Sequence, residues 1–280
     1  ITIQPIKRFD FDAAIIFSDI LMVPHGMGQH VDFKKNFGPD LGDLDLDKFQ
    51  NINDNDFTNN LSAVYKLVSN LKNNKILENK DLIGFVGAPW TLLVYMINKV
   101  SPKKGLSSKF FKDKKLIDET LDLLDRFIKL HIENQVNAGA SIIQIFDSWA
   151  GLIQEDFDRF LYKPTLSLVN HVKKMGVPVI CFPRGISDYS KFSKIVKPSM
   201  IDIDYNVNPK TIIESIDIPI QGGLDPKVLL SDEDNLKKET NKYLEIFKHH
   251  PYVFNLGHGI LPETKVEMVY KLVETVRDYK

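Results

Sequence analysis

Residues 12–28 read DAAIIFSDILMVPHGMG. The run from Ala13 to Phe17 is apolar at consecutive rather than alternate positions, and Ile15 and Ile16 are β-branched. Continuous hydrophobicity over so short a length marks a strand covered on both faces, as in a parallel sheet. The strand then stops on Ser18 and Asp19 and opens into glycine, proline and histidine. A carboxylate ending a buried strand has two readings. It can cap a short following helix, or it can stand at the rim of a site built on strand carboxyl ends. The connection from Ile20 to Gly42 is long and glycine-rich without evident structure, which favours a lid or binding loop.

The same grammar recurs outward from this stretch. Strands are expected at 13–18, 82–86, 141–146, 177–182, 200–204, 217–221 and 252–256. Between them lie helical stripes: Leu61, Val64, Tyr65, Val68 and Leu71; Ile117, Leu121, Leu124 and Ile128; and Val266, Val269, Tyr270, Val273 and Val276. The Asn/Asp/Lys-rich stretch from Asp40 to Asn60 reads as a polar surface insertion. Seven βα units are one short of a closed barrel, and the opening ITIQPIKRF reads as the tail of a helix. The expected fold is therefore α/β, a (β/α)8 TIM barrel whose first strand is missing from this sequence, with residues 1–280 forming a single barrel domain. A doubly wound open sheet shares the alternation, but no G-x-G-x-x-G or P-loop follows an early strand. An open barrel exposes a sheet edge, so the isolated 280-residue chain is expected to fold and act poorly.

Bulk properties narrow the function. A hydrophobic fraction of 43% over 280 residues can bury one large core. With a net charge of −1, nothing global attracts nucleic acid or an anionic membrane. No apolar run approaches the roughly 20 residues of a bilayer span, and the expected location is the cytoplasm. The single cysteine, Cys181, cannot form an internal disulfide or a multi-cysteine zinc site. H-E-x-x-H, G-x-S-x-G and phosphate-cradling glycine loops are all missing from the sequence. What remains is acid/base or electrostatic chemistry without a metal.

The strand ends are chemically unlike the strands. They carry Ser18-Asp19, Gly87-Ala88-Pro89-Trp90, Asp147-Ser148-Trp149, Pro183-Arg184-Gly185, Asp204-Tyr205-Asn206, Gly222-Gly223 and Gly257-His258-Gly259. In a barrel these positions form one rim. Each has a plainer alternative. Asp147 and Ser148 can cap a helix beginning near Ile153, Tyr95 can pack within the apolar PWTLLVYMI, Arg184 can make a strand-end salt bridge, and His25 and His30 can be loop surface.

Five segments carry a specific likeness: TIQPIKRFDFDAAIIFSDIL (2–21), GFVGAPWTLLVYM (84–96), IQIFDSWAG (143–151), QGGLDP (221–226) and FNLGHGILPET (254–264). In this order and spacing the chain resembles the uroporphyrinogen decarboxylases from its first residue to its last helix. The resemblance implies a cytoplasmic homodimer with a (β/α)8 fold, needing neither metal nor cofactor. It would remove carbon dioxide from the four acetate arms of uroporphyrinogen III, giving coproporphyrinogen III for haem and related tetrapyrroles. It also implies roles by position. Asp19 would be the catalytic residue, lying under the macrocycle and accepting from its pyrrole N–H groups, while Tyr95, Ser148 and His258 would bind substrate. Phe17, Ile20, Leu21 and Met22 would supply dry walls.

The resemblance also shows a difference. Family members carry an arginine-rich segment on the first barrel strand, ahead of the matching region, that holds substrate carboxylates. This sequence has arginines only at 8, 126, 159, 184 and 277, of which Arg184 alone falls at an expected strand end. Two other readings use the same fold: a tetrapyrrole-binding homologue without activity, and a corrinoid-linked methyltransferase, whose thiolate and histidine zinc ligands this sequence does not offer.

Overall fold

Seven short strands lie parallel in one sheet. The computed structural model describes residues 1–35, 38–103, 105–106 and 110–279. In chain order the strands are β1 (Ala13–Ile15), β2 (Val31–Lys34), β3 (Gly38–Leu41), β4 (Asp81–Gly87), β5 (Ile142–Asp147), β6 (Val179–Pro183), β7 (Met200–Ile203), β8 (Ile220–Gly222) and β9 (Tyr252–Val253). The helices are α1 (Ile3–Phe9), α2 (Met22–Gly26), α3 (Leu46–Asn51), α4 (Asp54–Asn60), α5 (Ser62–Lys72), α6 (Pro89–Asn98), α7 (Lys114–Ala138), α8 (Lys163–Lys174), α9 (Tyr189–Val196), α10 (Pro209–Ile213), α11 (Glu233–Phe247) and α12 (Val266–Asp278). The sheet order is β1-β4-β5-β6-β7-β8-β9. Each strand is thus laid beside the one before it, with the β2–β3 hairpin standing apart as an antiparallel pair. A doubly wound sheet reverses direction partway; this one never does, and it has the winding of a barrel. Among the described residues β1 and β9 are not paired, so the barrel is open on that side.

The central continuous apolar strands are buried on both faces, as the sequence predicts, but the first is not: β1 covers only Ala13–Ile15 of the expected 13–18, and Ile15 and Phe17 are exposed. Every residue of β6 is buried, and helices α5, α7 and α8 bury Val64, Val68, Leu71, Ile117, Leu124, Ile128, Leu168 and Val172 against the sheet. The stripe expected on α12 is rotated. Met268, Val269 and Leu272 are buried, whereas Val266 and Tyr270 are exposed; the Tyr270 ring meets Phe9 edge-on at 4.9 Å, outside the core.

Two expected loops are built elements. The stretch from Asp40 to Asn60 contains α3 and α4, with Phe49 and Phe57 fully buried. Its Asn and Asp residues serve as caps: Asp45 accepts from the Lys48 N–H and Asn53 from the Asp56 N–H. The Ile20–Gly42 connection contains α2 and the hairpin, of which residues 36 and 37 lie outside the described set. This arm is tied to the end of α6. Buried Gln29 donates to the carbonyls of Gly42 and Met96, and the Leu41 N–H donates to the Lys99 carbonyl at 2.7 Å. The arm explains why α6 is buried nearly all round.

Candidate active site

Register decides which side chains face into the half barrel. Ile15 pairs with Ile83, Phe85 with Gln144, Phe146 with Phe182, and Asp202 with Gln221. Paired residues of parallel neighbours share a face. The Gln144 amide on β5 reaches past β6 to donate to Asp202 on β7 at 2.8 Å, so this face is the concave one. Towards the carboxyl ends it carries Phe85, Phe146 and Phe182, packed edge-to-face at centroid distances of 5.5 and 6.1 Å. Phe17 continues the alternation from Ile15, and both are exposed, at 60% and 44%. Of the expected walls, Phe17 opens onto this concavity, Ile20 and Met22 are half-buried, and Leu21 belongs to the core.

Asp19 stands beyond β1 and is half-buried. Burial raises its pKa above the usual carboxylate range, and a bond from the Leu21 N–H to Oδ1, at 2.7 Å, opposes the rise. The helix-capping alternative is thus met in part: one oxygen organises the turn into α2, although the first residue before that helix is Leu21 and makes no side-chain cap. Tyr95 lies two turns into α6, yet its hydroxyl reaches the mouth. Its pKa is raised chiefly by burial and further by the charge of Asp19, while Trp149, Ser101 and Arg184 pull it down. The Trp149 ring meets Tyr95 edge-on at 6.1 Å, with its indole N–H beside the hydroxyl in a geometry looser than a full hydrogen bond. Ser148 is half-buried in the turn after β5.

His258 is exposed on the segment following β9. Partial burial lowers its pKa, Arg184 lowers it further and Asp204 opposes. The Arg184 charge therefore lowers the pKa of both Tyr95 and His258. Three other arginines are committed to ion pairs on the outer surface, Arg126 with Asp54, Arg159 with Asp118 and Arg277 with Asp10. The salt bridge suggested for Arg184 is not formed among the described residues. Asp204, buried at the end of β7, accepts from the Gly185 N–H at 2.7 Å, the Tyr189 hydroxyl at 3.0 Å and the Asn206 N–H at 2.8 Å. It fixes the turn that follows Arg184. Gly257 presses on this region so closely that a Cβ there would lie 2.4 Å from the Tyr205 nitrogen.

Asp147 corrects an expectation. No helix begins near Ile153; a short 3-10 turn spans Ala150–Leu152 and the Asp147 side chain bonds to Thr91 instead, at 2.6 Å. Burial pushes its carboxyl up to about 7. Asp202, inside the barrel below the mouth, is pushed up to about 8 by burial, with the Gln221 and Gln144 amides opposing. Thr91, Asp202 and Gln29 were not candidates from sequence. The clue to Thr91 is a hydroxyl within the otherwise apolar PWTLLVYM. Cys181 is buried in β6, and burial raises its thiol pKa, which leaves it a core residue.

Asp19, Tyr95, Ser148 and His258 thus come from four different strand-following segments to one end of the sheet. Relatives share this chain from end to end. A family model described as uroporphyrinogen decarboxylase (URO-D) matches residues 1–279. Uroporphyrinogen decarboxylases of Rickettsia bellii (strain RML369-C) and Rickettsia africae (strain ESF-5) are each 40% identical to it, covering 100% of the chain and 84% and 83% of their own lengths. Among solved structures, a methyltransferase from Methanosarcina mazei matches with a TM-score of 0.79 at 18% identity, over 99% of this chain and 83% of its own. A B12-independent methionine synthase from Shewanella sp. W3-18-1 matches at 0.57 and 11% identity, over 99% and 85%. At such identities these two speak to the fold alone, and they share the barrel. Matched over nearly its whole length by the family model and at 40% identity by its relatives, this chain belongs to the uroporphyrinogen decarboxylase family.

Proposed function

We propose that Asp19 carries the family's decarboxylation in this chain, with Tyr95, Ser148 and His258 holding the substrate, uroporphyrinogen III. The reaction removes carbon dioxide from an acetate arm and leaves an electron pair on the methylene carbon. Protonation of the adjacent pyrrole carbon creates a cation able to receive that pair. A carboxylate fixed beside the ring stabilises the cation, and does so more strongly where water is sparse. The observation that carries this reading is the position of Asp19: half-buried, at the mouth of an aromatic-lined concavity, with its charge felt by Tyr95.

Burial alone would favour the protonated form of Asp19. Convergent pyrrole N–H donors reverse this, since hydrogen bonds to a carboxylate favour its charged form. His258, lowered towards neutrality, can accept or donate near the acetate arms without adding a permanent charge. Arg184 supplies the positive charge that an octacarboxylate requires at the rim. The protein acts as a homodimer in the cytoplasm. Among the described residues no helix is long and apolar enough to cross a membrane. Anaerobic incubation with uroporphyrinogen III, followed by chromatography of the oxidised products, tests the activity; accumulation of the tetracarboxylic product supports it. Tight binding without carbon dioxide release would instead support a binding-only protein. Light scattering tests the dimer.

A further inference from the structure

Thr91, in the first turn of α6, and Asp147, at the end of β5, meet behind the rim rather than in it. Both are buried, and they face each other on the helix-covered side of the sheet. The Thr91 hydroxyl accepts the Trp149 N–H at 3.0 Å and lies 2.6 Å from Asp147 Oδ1. An amide N–H can only donate, so the hydroxyl proton points to the carboxyl oxygen. The Trp90 indole donates to the Trp149 carbonyl at 2.9 Å, so the backbone of Trp149 is held at both its N–H and its C=O. The Asp147 carbonyl accepts from the Arg184 N–H at 3.1 Å, and the Arg184 carbonyl accepts from the Gly151 N–H at 3.0 Å. One buried contact is thereby shared by the three segments that bear Tyr95, Ser148 and Arg184.

Asp147 is costly where it stands. Its second oxygen, Oδ2, is buried and makes no full hydrogen bond among the described residues, and the Thr91 N–H, which helps lower the carboxyl's pKa, compensates that burial only in part. Nothing in the following segment is capped by it, and an apolar pair would fill the same space more cheaply. What the pair supplies is direction. A short hydrogen bond fixes distance and angle, whereas apolar packing tolerates sliding.

We propose that Asp147 is a positioning residue for the decarboxylation: through Thr91 it sets the 148–151 turn, so that Ser148, the Trp149 indole beside Tyr95, and Arg184 keep a fixed relation to Asp19. This rests on the reading of the site given above. Misplacement by about 1 Å can lower a rate roughly a hundredfold.

Thr91→Val removes the hydroxyl at nearly constant volume, and Thr91→Ser returns it. In steady-state assays on the folded protein, Thr91→Val lowers kcat by about 10- to 100-fold and also raises KM, since Ser148 and Arg184 hold the substrate, and Thr91→Ser restores most of both losses. Trp90 and Trp149 are the two tryptophans of the chain, so intrinsic fluorescence reports this network without substrate. Thr91→Val and Asp147→Leu shift the emission to longer wavelength and increase quenching by acrylamide; Thr91→Ser does neither. Unchanged kcat in folded Thr91→Val overturns the proposal even if the melting temperature falls. Should the parent protein not decarboxylate at all, the reading of the site fails instead. The fluorescence arm then decides the positioning role, and emission unchanged in Thr91→Val overturns it.

Discussion

The N–H of Leu21 donates to one carboxylate oxygen of Asp19 at 2.7 Å, so the carboxylate that stands four residues beyond β1 is oriented by the chain two residues after it. A single bond of this kind holds the carboxyl in place without neutralising it. The same carboxyl is desolvated and its charge reaches Tyr95. Structural and electrostatic uses of Asp19 therefore coexist.

The Arg184 charge lowers the pKa of both Tyr95 and His258, while the ion-paired Arg126 and Arg159 face outward. Arg184→Gln is expected to raise KM for uroporphyrinogen III by about tenfold, the loss of one charge-assisted contact, with a smaller change in kcat. The deficit should narrow as salt is added, because screening weakens the parent's advantage. Steady-state kinetics at two ionic strengths measure it.

Gly257 touches the backbone of Asp204 and Tyr205 where a side chain would lie 2.4 and 2.9 Å from main-chain atoms. Gly257→Ala must push the His258 segment away from Asp204. The expected cost is about 1–3 kcal/mol of stability from overpacking, together with an increased KM. Thermal melting and kinetics on the same preparation check both effects.

Asp202 has its pKa raised from 3.8 to about 8 in the fold, with burial as the main cause. Below about pH 4 the group is protonated in folded and unfolded chains alike, and its contribution to stability is complete. As pH rises the unfolded chain ionises first, so that contribution falls until about pH 8 and then levels. Asp147, raised to about 7, acts in the same direction. Asp202→Asn, which keeps an oxygen for the Gln144 and Gln221 amides, is expected to flatten the decline of melting temperature between about pH 4 and pH 8, the range set by the unfolded and folded pKa values. An unaltered slope would show that Asp202 does not titrate in this window.

Much of this arrangement is legible in the sequence, for identifiable reasons. The strands announce themselves because burial on both faces demands unbroken runs such as VPVICF, and Asp19 and His258 stand out because polar residues follow those runs immediately. The α3–α4 region was hidden: Asp45 and Asn53 read as loop residues when they are helix caps, and Phe49 and Phe57 are too widely spaced to form a stripe. The β2–β3 hairpin was hidden by Gly38 and Pro39 and by the exposure of Val31–Lys34 on most positions. Thr91 could not be paired with Asp147 from sequence, since 56 residues separate them and only the parallel register of β4 and β5 brings them together.

The most direct measurement is turnover of uroporphyrinogen III by Asp19→Asn under anaerobic conditions, with circular dichroism and melting on the same sample. Asparagine keeps an oxygen for the Leu21 N–H and removes the charge, so the account predicts a native fold and a rate reduced roughly a hundred- to a thousand-fold. A folded Asp19→Asn protein that decarboxylates at close to the parent rate would contradict it.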